Sequence, residues 1–378
     1  MYSFFLNLKL LCYAISPWNN EANLKFLRKS IEKNKIKWDY VIDIAHSYLL
    51  VPSLWVNLRA KNLESYLDEG IRDYLHNFYS LNMQRNIGLR QQTLEAVDVL
   101  NNQGIVPLLF KGAAQLFQPI HGHLGSRMMR DLDILIPTKQ LGEAVEVLHS
   151  IGYQEAVDKN FNQAKHHHWA PLFRSGEYGT IELHHEALYL DAAGVLPAQL
   201  IWTNAQRQTV QGVHFFIPDA THSLMIGMIH SRFFDLHRLD LQALLDCTSL
   251  VLRYSDHMDW ERIRSLMDKN GLCHMLQAYL VAANLLFNLP FPHMIEPTIS
   301  ARMHYMLSLA VLRWKLAKRL SSKYYAFTAQ QICKRYQCKN QPLPLTVNRL
   351  KYLAESIRDI YEGISYCVKL RRKHILEK

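Results

Sequence analysis

The chain has 378 residues, of which 49% are apolar and 20% charged, with 15 Gly and 13 Pro. That composition excludes a disordered, collagen-like or low-complexity protein, and the length suits two or three domains with a sizeable core. The net charge of +10 is uneven: residues 312–378 carry 16 Lys/Arg against 4 Asp/Glu, and the rest of the chain carries 27 against 29.

The start, Met1 to Cys12, is apolar but has no basic residue before its apolar stretch and no small-x-small cleavage site, so it reads as an amphipathic first helix. No apolar run reaches about 18 residues, so no transmembrane segment is expected. The six cysteines are too few and scattered for a disulfide scaffold, and Cys333 and Cys338 have no second pair to complete a zinc site. A reducing, cytoplasmic location is the resulting expectation.

Residues 1 to about 103 read as helical, with Ile71, Tyr74, Leu75 and Phe78, then Leu94, Val97 and Leu100, at helical spacing. Asn101-Asn-Gln-Gly104 closes that run. Ile105 to Phe110 is a short apolar strand, followed by Lys111-Gly112 and a short helical piece from Ala113 to Phe117. A loop, Pro119 to Ser126, leads into Arg127 to Ile136, with a strand over its second half. Pro137-Thr138 opens a helix whose stripe is Leu141, Ala144, Val145, Leu148 and Ile151, closed by Gly152. His166 to Phe173 and Thr180 to His185 read as two strands around a Ser175-Gly176 to Gly179 turn. Val213 to Ile217 reads as another strand, and Asp219 as the N-cap of the helix after it. Helices follow to the end, broken near Leu289 to Pro292 and Gln341 to Pro344.

The chemistry concentrates at Asp131-Leu-Asp133. Alternate residues of a strand share a face, so these two carboxylates stand about 6–7 Å apart along one side. From there they can converge on a pair of cations spaced about 3.5–4 Å. The plainer reading is a solvated strand start, with Arg127 or Arg130 as salt-bridge partner. Glu182 strengthens the metal reading. In Ile181-Glu-Leu-His184, Glu182 and His184 share the face opposite Ile181 and Leu183. If this strand lies beside the first, three carboxylates meet, and that oxygen set favours Mg²⁺ or Mn²⁺. Lys111-Gly112 could bring backbone N–H donors to an anion, although the Gly spacing of a Walker A loop is absent.

Taken in order, Lys111-Gly112, Arg127, Asp131-Leu-Asp133-Ile-Leu135, Gly152-Tyr153 and Glu182-Leu-His184 resemble the DNA polymerase β-type nucleotidyltransferase superfamily. They are closest to its uncharacterised bacterial nucleotidyltransferase branch, over roughly residues 30 to 250. Ala113 stands where the wider superfamily has the Ser of a Gly-Ser turn. Arg130 stands where a small or polar residue is usual. The resemblance implies an α+β fold: a small mixed-sheet nucleotidyltransferase core, residues 101–217, between an N-terminal helical region, 1–100, and a C-terminal helical region with a basic tail, 218–378. It implies metal-dependent transfer of a nucleotidyl group from a nucleoside triphosphate such as ATP to an acceptor hydroxyl, releasing pyrophosphate. Asp131, Asp133 and Glu182 would be the catalytic carboxylates and metal ligands. Lys111, Gly112, Arg127, Arg130 and His184 would face the nucleotide. The acceptor could be a small molecule, sugar, peptide, protein or RNA. The alternative is a catalytically degenerate nucleotide-binding or interaction protein on the same fold.

His166, His167, His168, His184 and His185 read as cross-strand packing beside the acidic site, with a histidine metallohydrolase as the competing reading. Arg232, Arg238 and Asp246 could line the acceptor side. The basic tail could contact a polyanion through its Lys and Arg side chains.

Overall fold

The computed structural model describes residues 2–17, 21–33, 36–156, 166–231, 239–292 and 294–323. Contacts divide the chain into a unit of residues 1–313 and a second unit of residues 314–378. Nearly all of the basic tail, the Gln341 to Pro344 break, and Arg232 and Arg238 lie outside the described residues.

The first unit is mixed α and β, as its patterning implies. Helices α1 (Tyr2–Ile15), α2 (Glu21–Glu32), α3 (Trp38–Ser47) and α4 (Val51–Ala60) precede one long helix, α5 (Glu69–Asn102). Its 34 residues span about 50 Å at about 1.5 Å per residue. The apolar positions read from the sequence, Leu75, Phe78, Val97 and Leu100, are buried on its inner side. The chain then alternates: β1 (Leu108–Leu109), α6 (Lys111–Gln115), β2 (Asp131–Leu135), α7 (Leu141–Ser150), β3 (Gln154–Glu155), β4 (Leu172–Phe173) and β5 (Thr180–His184). After α8 (Ala198–Thr203) come the hairpin β6 (Gln206–Val210) and β7 (Val213–Ile217), and then α9 (Ala220–His230), α10 (Leu241–Arg253), α11 (Trp260–Lys269), α12 (Cys273–Phe287) and α13 (Ile299–Lys323).

The seven strands form one mixed sheet in the order β3-β4-β5-β2-β1-β7-β6. Its centre pairs β2 with β5 in parallel, and β2 with β1 antiparallel. Leu132 and Ile134 of β2 and Ile181 and Leu183 of β5 join one hydrophobic core with Leu89, Val97 and Leu100 of α5 and Leu141, Val145 and Leu148 of α7. The period-2 alternation of both strands therefore puts their apolar residues under the helices and turns their polar residues to the other face. Asp219 caps α9 by accepting from the His222 N–H, as the sequence implies.

Three strands depart from the sequence reading, among them the short β3, which the patterning does not mark. The segment from His166 is strand only at Leu172–Phe173, with a single bridge from His168 to His184. The strand β6 was not expected. It pairs with β7 through a two-residue turn at Gln211 and Gly212, both at positive φ. No helix among the described residues is long and apolar enough to cross a membrane.

Candidate active site

The parallel register of β2 and β5 sets Asp133 directly opposite Glu182, and Leu135 opposite His184. Donor atoms of Asp133, Glu182 and His184 consequently gather within 4.8 Å of one another. His184 Nε2 lies 3.0 Å from Asp133 Oδ1 and 3.6 Å from Glu182 Oε2. Asp133 and His184 are buried, and Glu182 is partly exposed. Asp131 stands two residues earlier on the same side of β2, outside that close trio but within electrostatic reach of Asp133 and Glu182.

Burial, then the charges of Asp133 and Glu182, push the Asp131 carboxyl up to about 7. Asp133 behaves oppositely. Burial alone would raise it, but Lys111 and His184 hold it well below the ordinary carboxylate range. His184 would be lowered by burial, and its two carboxylate neighbours raise it instead. The protein thus packs three acids together and counters them with few cations.

Lys111 is one of those cations. It sits at the start of α6 with φ 49°, a left-handed conformation that costs a non-glycine residue on the order of 1 kcal/mol. Its Nζ lies 2.9 Å from Asp133 Oδ1 and 3.0 Å from His230 Nε2. The His230 ring stacks on Tyr189, with centroids 4.9 Å apart. Gly112 follows, and a Cβ there would come within 2.7 Å of Arg127 Nη1 and 2.8 Å of Met129 Cγ. A side chain there would have to displace Arg127 or Met129, and Arg127 lies against the Lys-Gly turn.

Arg127 is held from behind. Its Nε donates to Asp246 Oδ2 at 2.8 Å, and Asp246 Oδ1 pairs with His121 Nε2 at 2.7 Å. Ser249 Oγ lies 3.1 Å from His121 Nδ1. Arg130 is exposed. In the sequence, Asp246 stands on a helix after the core, as part of the family resemblance and a candidate wall of the acceptor side, and His121 falls in a loop. Their role in tethering Arg127 is visible only in three dimensions.

The supports of α5 also went unread. Asn82 donates to the carbonyls of Gly125 and Arg127, and Asn86 to those of Leu124 and Arg127. Arg85 donates to the carbonyls of Met129 and Tyr178, and Gln92 exchanges two hydrogen bonds with the Gly179 backbone. One helix therefore ties down the segments that lead into both acidic strands. The signal was present: Asn82, Asn86 and Gln92 fall in phase with the buried apolar stripe.

His167 and His168 pack against His184 from a segment that meets β5 through one bridge rather than as a strand. The rings of His167 and His168 stand 5.1 and 5.2 Å from that of His184. Burial and the neighbouring imidazoles lower His167 to about 2, so it stays neutral.

With this geometry in view, the comparison with known families is decisive. Residues 34–288 match the family model described as an uncharacterised nucleotidyltransferase. The chain belongs to that family. No curated protein and no solved structure matches it. The matched segment spans the acidic strands, the Lys-Gly turn and Asp246. The donor set fits a divalent cation: two facing carboxylates and a buried imidazole whose Nε2 is ion-paired with Asp133 Oδ1 at 3.0 Å but not aligned as a hydrogen bond.

Proposed function

We propose that this nucleotidyltransferase carries a polymerase β-type site and moves a nucleotidyl group from a nucleoside triphosphate to an acceptor hydroxyl. The acceptor oxygen bonds to the α-phosphorus, the bond from that phosphorus to the bridging oxygen breaks, and pyrophosphate leaves. The observation that carries this reading is the facing pair Asp133 and Glu182, on adjacent strands of a chain from a nucleotidyltransferase family.

Asp131, Asp133 and Glu182 would hold Mg²⁺ or Mn²⁺. Bound there, a divalent ion neutralises charge on the α-phosphate and acidifies the attacking hydroxyl. Glu182, partly open to solvent beside the cluster, takes up the hydroxyl proton. Lys111, Arg127 and the Gly112 backbone hold the triphosphate, so catalysis comes from positioning and charge compensation. Arg130, on the exposed rim, would meet the outer phosphates. The acceptor belongs to one of the classes named above, and the basic tail would serve a polyanionic one.

A second reading, nucleotide binding without catalysis, is favoured by the Lys111 ammonium on Asp133 Oδ1, where it satisfies a carboxylate that a metal would need. Two measurements separate them. Label from α-³²P nucleotides should pass to a cell fraction with wild-type protein and not with Asp133→Asn. Isothermal titration should show nucleotide binding that depends on Mg²⁺ and on Asp133. Binding that ignores both, with no transfer, supports the non-catalytic reading and overturns the first.

A further inference from the structure

We propose that His184 is itself a ligand of the metal, through Nε2, and that the site therefore takes Mn²⁺ in preference to Mg²⁺. The inference rests on the reading of Asp133 and Glu182 as metal ligands.

His184 has no exposed surface. Its Nε2 points into the carboxylate pair, 3.0 Å from Asp133 Oδ1 and 3.6 Å from Glu182 Oε2, without an aligned hydrogen bond to either. A buried nitrogen whose nearest acceptor is an ion-pair oxygen out of hydrogen-bond alignment is poorly satisfied. A cation between the three groups would relieve it. Donor atoms of all three groups lie within 4.8 Å of one another, so small side-chain movements bring them around one ion.

The ring is held in place before any ion arrives. Phe110 meets it edge-on with centroids 4.9 Å apart, and the rings of His167 and His168 flank it. Its own backbone carbonyl accepts from Ile136 N–H at 2.8 Å, at the end of the β2–β5 pairing. Glu182 and His184 share a strand face, so neither has to move far to meet Asp133. Lys111 contacts only Oδ1 of Asp133, which leaves the other carboxylate oxygen for an ion.

The donor type decides the metal. Mg²⁺ holds to oxygen ligands and gives up its waters reluctantly. An imidazole favours a dication of the first transition series, while carboxylates favour hard ions. Mn²⁺ meets both demands. A nitrogen ligand sets this site apart from the all-oxygen set that the carboxylates alone imply.

The test is spectroscopic and needs no turnover. The full chain is loaded with Mn²⁺, and pulsed EPR is read for nitrogen hyperfine modulation. Modulation with ¹⁴N couplings, changing to ¹⁵N couplings in protein labelled with ¹⁵N-histidine, is expected. It should vanish in His184→Gln and survive in His168→Gln. His184→Gln should also weaken Mn²⁺ binding by about tenfold or more and Mg²⁺ binding less, since an oxygen donor replaces nitrogen. If His184→Gln fails to fold, the labelled wild-type protein still shows whether a histidine ligates the ion, and retained modulation in His167→Gln, His168→Gln and His230→Gln leaves His184 as its source at this site. Stoichiometric Mn²⁺ binding without nitrogen modulation overturns the ligand role of His184 and leaves the carboxylate reading standing. No Mn²⁺ binding, or binding unmoved by Asp133→Asn, overturns both.

Discussion

Replacing Asp246 by Asn tests how Arg127, the proposed triphosphate ligand, is held. The carboxylate is 8% exposed and carries two charge-assisted contacts, to Arg127 Nε at 2.8 Å and to His121 Nε2 at 2.7 Å. Asn keeps the shape but removes the charge, leaving the half-buried Arg127 beside a neutral amide. Breaking a fully buried pair from one side costs about 3–5 kcal/mol; the partial exposure of Arg127 and one surviving acceptor oxygen bring that below about 3 kcal/mol. Urea unfolding should show the loss. Burial would raise the Asp246 carboxyl, but Arg127 and then His121 bring it below its ordinary 3.8. Its stabilising contribution is therefore complete above pH 3.8 and is lost as pH falls through the lower folded value. The gap between wild type and Asp246→Asn should persist at pH 7 and close only in strong acid. In turnover, a loosened Arg127 should raise KM for the nucleotide about tenfold, or about 1.4 kcal/mol, with kcat moving less. A double-mutant cycle with Arg127→Met isolates the pair. Energies that add within about 0.5 kcal/mol, with KM unchanged in Asp246→Asn, would refute the tether.

Three further outcomes are expected. Gly112→Ala places a Cβ 2.7 Å from Arg127 Nη1 and 2.8 Å from Met129 Cγ, so it should impair nucleotide binding as measured by titration calorimetry. The Lys61 ammonium donates to the carbonyls of Ala14 and Ser16, and burial lowers it to about 7. Between that value and 10.5 the unfolded chain binds more protons, so this group makes stability rise with pH by an order of a few kcal/mol; Lys61→Met should remove that rise, read as the wild-type minus mutant difference at pH 7 and 9. A chain truncated before Lys369 should bind RNA more weakly than the full chain at low salt, with the difference disappearing at high salt as counterion release loses its drive; equal binding by both would discard the tail's last basic cluster as a recognition element.

What was legible in the sequence was whatever a strand or helix period encodes locally. Asp131 to Leu135 and Thr180 to His184 alternate, so their acidic faces could be assigned before their neighbours were known. Register is not local. That Asp133 meets Glu182, while Asp131 meets Thr180, depends on how two strands separated by α7, β3 and β4 slide against each other. The unread hairpin β6–β7 is a different case. Gln211-Gly212 occupies a two-residue turn with both φ values positive, a geometry that favours glycine, but the polar strand before it lacks an apolar stripe. It is an edge strand, with mostly exposed residues and no buried face to mark it.

The tether of Arg127 is harder still to read, for a physical reason. His121 and Asp246 are 125 residues apart, and each looks like a surface residue of its own segment. Their burial is created only when α10 closes over the loop ahead of β2. The same holds for Asn82, Asn86 and Gln92, which satisfy carbonyls of loops that follow them in the chain. A buried polar side chain must find a partner, and for loop carbonyls that partner is set by tertiary closure. Polar residues in phase with an apolar helical stripe are thus a usable sign of an irregular backbone packed against that stripe. In this chain that backbone runs from Leu124 to Met129 and through Tyr178 and Gly179, the two approaches to the strands that bear the acids. Strong local order in α5 is what lets those approaches stay irregular and still place Asp133 and Glu182 face to face.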